Sequence, residues 1–191
     1  INISIKNNIH SVYDNISMDL INKYSYYYDW KDISKSTFEK DYKKFEFDNM
    51  FSYGKGNVVD FTRLSGIIGI FAPNASGKSA LLDALSFCLF DTCSRAFKAD
   101  MILNNKKSSF RCKLNIEIDG TEYYIERKGK RLLDGHVKVD VNFERWDADL
   151  QQMVSMNGDQ RRTTNNNIRR VLGTYDDFIL TTLSTQNNSS G

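Results

Sequence analysis

Four residues in the run FAPNASGKSALLDALSF, Ala72, Gly77, Lys78 and Ser79, stand at the spacing of the pattern G-x-x-x-x-G-K-[ST], with alanine at the first glycine position. The chemistry of that pattern is capture of a nucleotide phosphate chain. Backbone N–H groups of Asn74, Ala75, Ser76, Gly77, Lys78, Ser79 and Ala80 would converge on phosphate oxygens at the mouth of a helix, whose N-terminus favours an anion by up to about 2 kcal/mol. Lys78 is placed to reach the β- and γ-phosphates and Ser79 to offer its hydroxyl to Mg²⁺, so ATP and Mg²⁺ are the expected cofactors. Gly77 is the glycine the phosphates need, because backbone must approach them closely there; Ala72 at the strand exit adds only a methyl group.

The rest of a phosphoryl-transfer site is missing. An acid that helps hold Mg²⁺ ordinarily ends an apolar strand, and no apolar run followed by Asp-Glu occurs after Ser79. Asp140 in VKVDVNFERWD is the nearest candidate, but alternating charges there predict a half-exposed hairpin strand, which excludes it. The chain alone is therefore expected to bind nucleotide modestly and to hydrolyse it hardly at all.

A phosphate loop needs a buried strand before it and a buried helix after it. GIIGIF supplies the strand pattern and SALLDALSFCLF, apolar on nearly every side, the helix. Upstream, YKKFEFDNM, FSYGKG and NVVDF read as strand, turn and strand from about Tyr42. Downstream, FRCKLNIEIDG, TEYYIERKGK and HVKVDVNFERWD predict three antiparallel strands, joined at Asp119-Gly120 and across Arg131 to Gly135. LQQMVSMNGDQRRTTNNN reads as a polar mobile loop. IRRVLGTYDDFILTTLSTQ predicts a short helix stopped by Gly173 and an apolar segment leading to Gln186. Near the start, Ile1, Ile3 and Ile5 alternate as in a half-buried strand, and NKYSYYYDWKD is an aromatic cluster that suits covering an adjoining surface or linking to an upstream domain, the alternative being a base-stacking platform, which would need interleaved Lys or Arg.

With 40% apolar and 26% charged residues in 191, the composition is that of a folded domain, without a membrane span or signal peptide. Cys88, Cys93 and Cys112 form no CxxC pair, which points to a reducing, intracellular compartment, with two buried core thiols and one in a strand. A net charge of +2 leaves nucleic-acid binding to local patches. The opening at Ile1 and the ending NNSSG predict a piece of a longer protein.

Over about residues 43 to 190 the chain resembles the N-terminal half of the ATPase head of the Rad-fifty/SbcC family, double-strand-break repair relatives of the structural-maintenance-of-chromosomes proteins. The likeness lies in FDNMFSYGKGNVVDF, in APNASGKSALLDALSFCLF and in VLGTYDDFILTTLSTQN. It implies an α/β fold, the N-terminal half of an ABC-type P-loop NTPase head with a mixed or antiparallel sheet around the phosphate-loop helix. Residues 43–191 would form that half and residues 1–42 an extension. It also implies that Gln186 senses the γ-phosphate and metal, so that Lys78 and Gln186 would be the catalytic residues and Ser79 and Gln186 the metal contacts. A coiled coil, a C-terminal half carrying the missing acids, a second head, a nuclease of the Mre-eleven/SbcD type and sequence-independent DNA contact are the implied partners. Ala72 and Ala75 depart from the family glycines, and Phe51 stands where many relatives carry a basic residue.

Basic clusters at Lys106-Lys107, at Arg127, Lys128, Lys130 and Arg131, and at Arg161-Arg162 with Arg169-Arg170 each suit a solvated face; together they suit salt-sensitive contact with the DNA backbone. Two other readings of the same residues are a chromosome-structuring clamp without nuclease and a defence ATPase of the overcoming-lysogenization type.

Overall fold

The computed structural model describes residues 2–4, 40–64, 69–71, 77–96, 98–176 and 178. Its main sheet has six antiparallel strands in the order β3-β2-β5-β6-β7-β8. These are β2 (Lys40–Asp48), β3 (Asn57–Asp60), β5 (Ser109–Ile118), β6 (Thr121–Arg131), β7 (Val137–Asp147) and β8 (Gln152–Ser155). A separate two-stranded sheet pairs β1 (Asn2–Ser4) with β4 (Gly69–Phe71), the strand that enters the phosphate loop. The alternating Ile1–Ile5 stretch thus does contain a strand, and β2 begins at Lys40, two residues before the pattern change at Tyr42.

Period-2 alternation makes the main sheet one-sided. Along β5 every second residue, from Phe110 to Ile118, is buried, while its neighbours face outward. Helix α1 (Lys78–Phe90) packs on β5 and β6, and helix α3 (Arg161–Leu172) packs on β7. Phe45, Phe47, Leu114, Ile116, Ile125 and Phe143 line the interior between the layers, each fully or almost fully removed from water. Each such side chain contributes about 1.5–3 kcal/mol by burial. A one-turn helix, α2 (Ala99–Ile102), joins α1 to β5.

The β5–β6 hairpin turns at Asp119 and Gly120, both with positive φ (49° and 75°), the mirror-image turn that an Asp-Gly pair predicts. Gly135 (φ 88°) serves the β6–β7 turn, and Gly173 ends α3.

The polar stretch after Asp147 is more ordered than a mobile loop. Asp147 Oδ1 accepts from the N–H groups of Asp149 and Leu150, closing a turn into β8. Then α3 starts at Arg161, seven residues before Ile168. Its Thr- and Asn-rich first turns are poor helix formers by propensity, and tertiary partners override that tendency. Asn165 bonds Arg127 and Asp91, Thr164 accepts from the Gly158 N–H, and Asn167 donates to the Met156 carbonyl.

Two long-range cations finish the helix ends. Lys40 donates to the Leu172 carbonyl at the end of α3 (2.8 Å). Arg127, on β6, donates to the Cys88 and Leu89 carbonyls at the end of α1 (2.8 and 3.2 Å). Both satisfy carbonyls that a helix leaves without partners and oppose the negative end of its dipole.

Arg127 therefore leaves the basic cluster in which the sequence placed it. It is fully buried, whereas Lys128 and Lys130 on the opposite face are exposed. All three cysteines are buried, and Asp140 is exposed beside Lys138 on the outer face of β7, as its alternating neighbours predicted.

Candidate phosphate-binding site

The described part of the phosphate loop begins at Gly77. Its backbone is left-handed (φ 95°, ψ 11°), and as a glycine it caps α1 with no side chain of its own. Leu81 is the first residue to donate back to Gly77 (3.1 Å), so the N–H groups of the first turn have no earlier helical carbonyl to meet. Lys78 is half-buried, Ser79 is exposed and Ala80 is buried against the sheet. The opening of α1 thus offers backbone donors, a lysine and a solvent-facing hydroxyl at consecutive positions.

The turn between β2 and β3 holds this helix start in place. Tyr53 donates its hydroxyl to the Gly77 carbonyl (3.0 Å), and a Cβ on Gly77 would come within 3.2 Å of both Ser52 Oγ and the Tyr53 ring. Glycine at 77 is therefore required twice, by its positive φ and by the close approach of the turn. The turn is itself tied down. Asn49 and Phe51 adopt positive φ (55° and 52°), Phe51 N–H donates to the Ile102 carbonyl (2.7 Å), and Asn104 Nδ2 donates to the Tyr53 carbonyl (3.1 Å). Asn49 adds a bond from Nδ2 to the Ser109 carbonyl (3.0 Å).

Phe51 has a cation beside it after all. The Arg95 guanidinium stands 5.8 Å from the Phe51 ring centroid and is ion-paired to Asp83. Asp83 lies one helical turn after Ser79 on α1, is buried, and also accepts from Ser94 Oγ (2.8 Å). Its carboxylate is engaged in fixing the segment that follows α1.

Of the residues expected at the site, Gly77, Lys78, Ser79 and Ala80 come together at the start of α1. Asn74, Ala75, Ser76 and Gln186 lie outside the described residues. The aromatic run before Lys40 does too. Sequence reasoning missed Tyr53 and Ser52, whose only signal is their place in the turn after β2. It also missed the contact between the end of α1 and the segment after Gly173. Phe90, the last residue of α1, packs against Tyr175 and Phe178 (centroids 6.0 and 5.3 Å), which begin the segment leading to Gln186.

A one-sided antiparallel sheet, a buried helix beneath it and a GKS sequence opening that helix define an α/β ATPase head. The family model described as an AAA domain matches residues 44–189, and the chain belongs to that family. Within it the chain is an SMC-like, ABC-type head of the Rad50 and SbcC kind. It is 43% identical over 150 residues to an uncharacterized protein of Acanthamoeba polyphaga mimivirus, covering 75% of this chain and 11% of that protein. It is 29% identical over 134 residues to the SbcC component of the nuclease SbcCD of Bacillus subtilis, covering 66% of this chain and 12% of that protein. It is 38% identical over 63 residues to the DNA double-strand break repair Rad50 ATPase of Methanocaldococcus jannaschii, covering 33% and 6%. The chain spans about a tenth of the length of the first two of these relatives.

Among the described residues no helix is long and apolar enough to cross a membrane.

Proposed function

We propose that residues 43–191 are the ATP-binding N-terminal half of a DNA repair or recombination ATPase that works with a nuclease on DNA ends, with residues 1–42 as an extension. One observation carries the nucleotide part. The helix opens on Gly77-Lys78-Ser79 from a left-handed Gly77 whose carbonyl accepts the Tyr53 hydroxyl, which sets Lys78 and the Ser79 hydroxyl in the first turn of a helix N-terminus, the end that favours an anion. The repair part rests on the SbcC and Rad50 relatives.

In this reading backbone groups from Asn74, Ala75 and Ser76 through Gly77 to Ala80 hold the phosphates. Lys78 neutralises charge on the β- and γ-phosphates, and Ser79 with Gln186 contacts Mg²⁺. ATP with its Mg²⁺ supplies the free energy that brings two heads together. The acids that complete hydrolysis come from a C-terminal half of the same protein, DNA is held without sequence preference, and the complex works inside the cell.

The test is nucleotide binding by the full-length protein and by its Lys78→Ala variant, followed by ATP turnover with linear duplex DNA. Lys78→Ala is expected to abolish binding with the circular dichroism spectrum unchanged. Retained affinity in the variant would remove the phosphate-loop assignment. Co-purification of a metallophosphoesterase supports the nuclease partnership; turnover without such a partner favours a chromosome-structuring clamp.

A further inference from the structure

We propose that the tip of the β6–β7 hairpin is a contact for the end of a DNA duplex. In it Leu132 and Leu133 lie against the terminal base pair while Lys106, Lys107, Lys130 and Lys138 hold the flanking phosphates. The inference rests on the reading above of an ATPase that acts on DNA ends.

The tip presents apolar side chains where a turn is ordinarily polar. Leu133 is fully exposed (110% of its reference area) and Leu132 is 43% exposed. They are held there. Leu132 N–H donates to the His136 carbonyl (2.8 Å), Gly135 N–H to the Leu132 carbonyl (3.0 Å), and Arg131 Nη1 to the Gly135 carbonyl (3.0 Å). A leucine pair fixed on a closed turn loses little further freedom on docking.

The lysines surround that tip by register. Lys130 and Lys138 are direct cross-strand partners, an arrangement of like charges that is unfavourable on its own. Ser109 pairs with Lys130 on the other side, and Arg131 N–H donates to the Ser108 carbonyl, which brings the Lys106-Lys107 turn alongside. The acids at this end are largely engaged. Asp134 accepts from the His136 N–H, Asp100 accepts from the Val137 N–H and neighbours His136, and Asp140 pairs with Lys138 at 3.5 Å. Among the described residues no acid lies within ion-pair distance of Lys106, Lys107 or Lys130. A local excess of positive charge around a rigid apolar tip matches the two surfaces that a duplex end offers, phosphates at its flanks and a bare base-pair face at its terminus.

Binding of the full-length protein to a closed circular duplex and to the same sequence linearised distinguishes the parts. The Leu132→Ser/Leu133→Ser variant is expected to bind the circle as before. It should lose its preference for the linear form by about tenfold, near what burial of one leucine is worth. The variant with Lys106, Lys107, Lys130 and Lys138 changed to Ala is expected to weaken on both forms, with the slope of log affinity against log salt falling by about 3–4. ATP binding by both variants reports an intact fold. If the wild-type protein binds DNA and both variants bind it unchanged, the hairpin assignment is overturned and the ATPase reading stands. If the wild type binds no DNA, that reading fails as well. If the leucine variant instead loses binding to phosphatidylserine vesicles and keeps its end preference, the tip is a lipid contact and the proposal is overturned.

Discussion

Nη1 of Arg127 lies 3.6 Å from Oδ1 of Asp91, inside the protein and at the end of the helix that begins with the phosphate loop. Asp91 has a left-handed backbone (φ 62°) and caps α1, and its carboxylate also receives Arg161 and Asn165 from α3. Arg127 in turn donates to Asn165 Oδ1 (2.8 Å) and lies 5.9 Å from the Phe87 ring centroid. One buried guanidinium thus joins α1, α3 and β6. Burial lowers its pKa while Asp91 acts in the opposite direction, and an arginine remains charged throughout.

Replacing Arg127 with Met leaves the Cys88 and Leu89 carbonyls and Asn165 without their donor. The expected cost is about 3–5 kcal/mol, the usual penalty for breaking a buried ion pair from one side. A urea titration of the wild type and Arg127→Met checks it. Arg127→Lys should recover little, since a single ammonium cannot reproduce the three-way fork.

Gly77→Ala places a Cβ 3.2 Å from Ser52 Oγ and from the Tyr53 ring, on a backbone with φ 95°. Relief by rotating the backbone would turn the first-turn donors of α1 away from the phosphates. Loss of ATP affinity is expected together with about 1–2 kcal/mol of destabilisation, the cost of a left-handed L-residue. Titration calorimetry and thermal unfolding measured on one preparation separate the two effects.

Gly129 faces Phe110 across the β5–β6 ladder, and a Cβ added there would fall 2.0 Å from the Phe110 ring. That ring packs edge-on against Phe87 of α1 (5.7 Å), so it has little room to yield. Gly129→Ala should cost about 1–3 kcal/mol or more through overpacking. A paired Phe110→Leu substitution should restore part of the loss, which a double-mutant cycle would detect.

Alkaline pH should weaken the fold in a defined window. Burial raises Tyr42 to about 12, burial and then the Glu122 carboxylate raise Tyr124 to about 12, and burial also raises Tyr53. Each phenol stays protonated in the folded chain at a pH where the unfolded chain, near 10, gives its proton up. Their contribution is complete below about pH 10 and is lost as pH rises toward 12. A spectrophotometric tyrosine titration beside denaturant midpoints at pH 9, 10 and 11 tests the sign. Stability that rises across that range would contradict it.

Local pattern made the centre of the fold readable. SALLDALSFCLF is apolar on nearly every side and packs beneath the sheet, and the strands of the β5–β6–β7 meander alternate visibly, with Asp119-Gly120 marking the first turn. What escaped was set by partners distant in sequence. The first half of α3 reads as loop because Thr and Asn favour turns, and its helix depends on Arg127 and Asp91, 38 and 74 positions away from Asn165. Arg127 reads as surface charge because Lys128 and Lys130 follow it, although its parity with the buried Ile125 and Gly129 carried the signal. At the site, GKS was legible at once; the brace from Tyr53 was not, since nothing in FSYGKG says that its tyrosine meets a residue 24 positions on.

The protein's three cysteines, Cys88, Cys93 and Cys112, are all buried, and burial with Cys88 as neighbour pushes the Cys112 thiol well above its ordinary range. They sit on α1, just after it, and on β5, so together they sample both layers of the core. A folded chain therefore shows alkylating reagents almost nothing to attack, and labelling of each sulfur becomes a clock for how often its part of the molecule opens. Slower labelling with ATP present would time how firmly the nucleotide holds the two layers together, and a single cysteine introduced on the surface would carry a dye without competition from the native three.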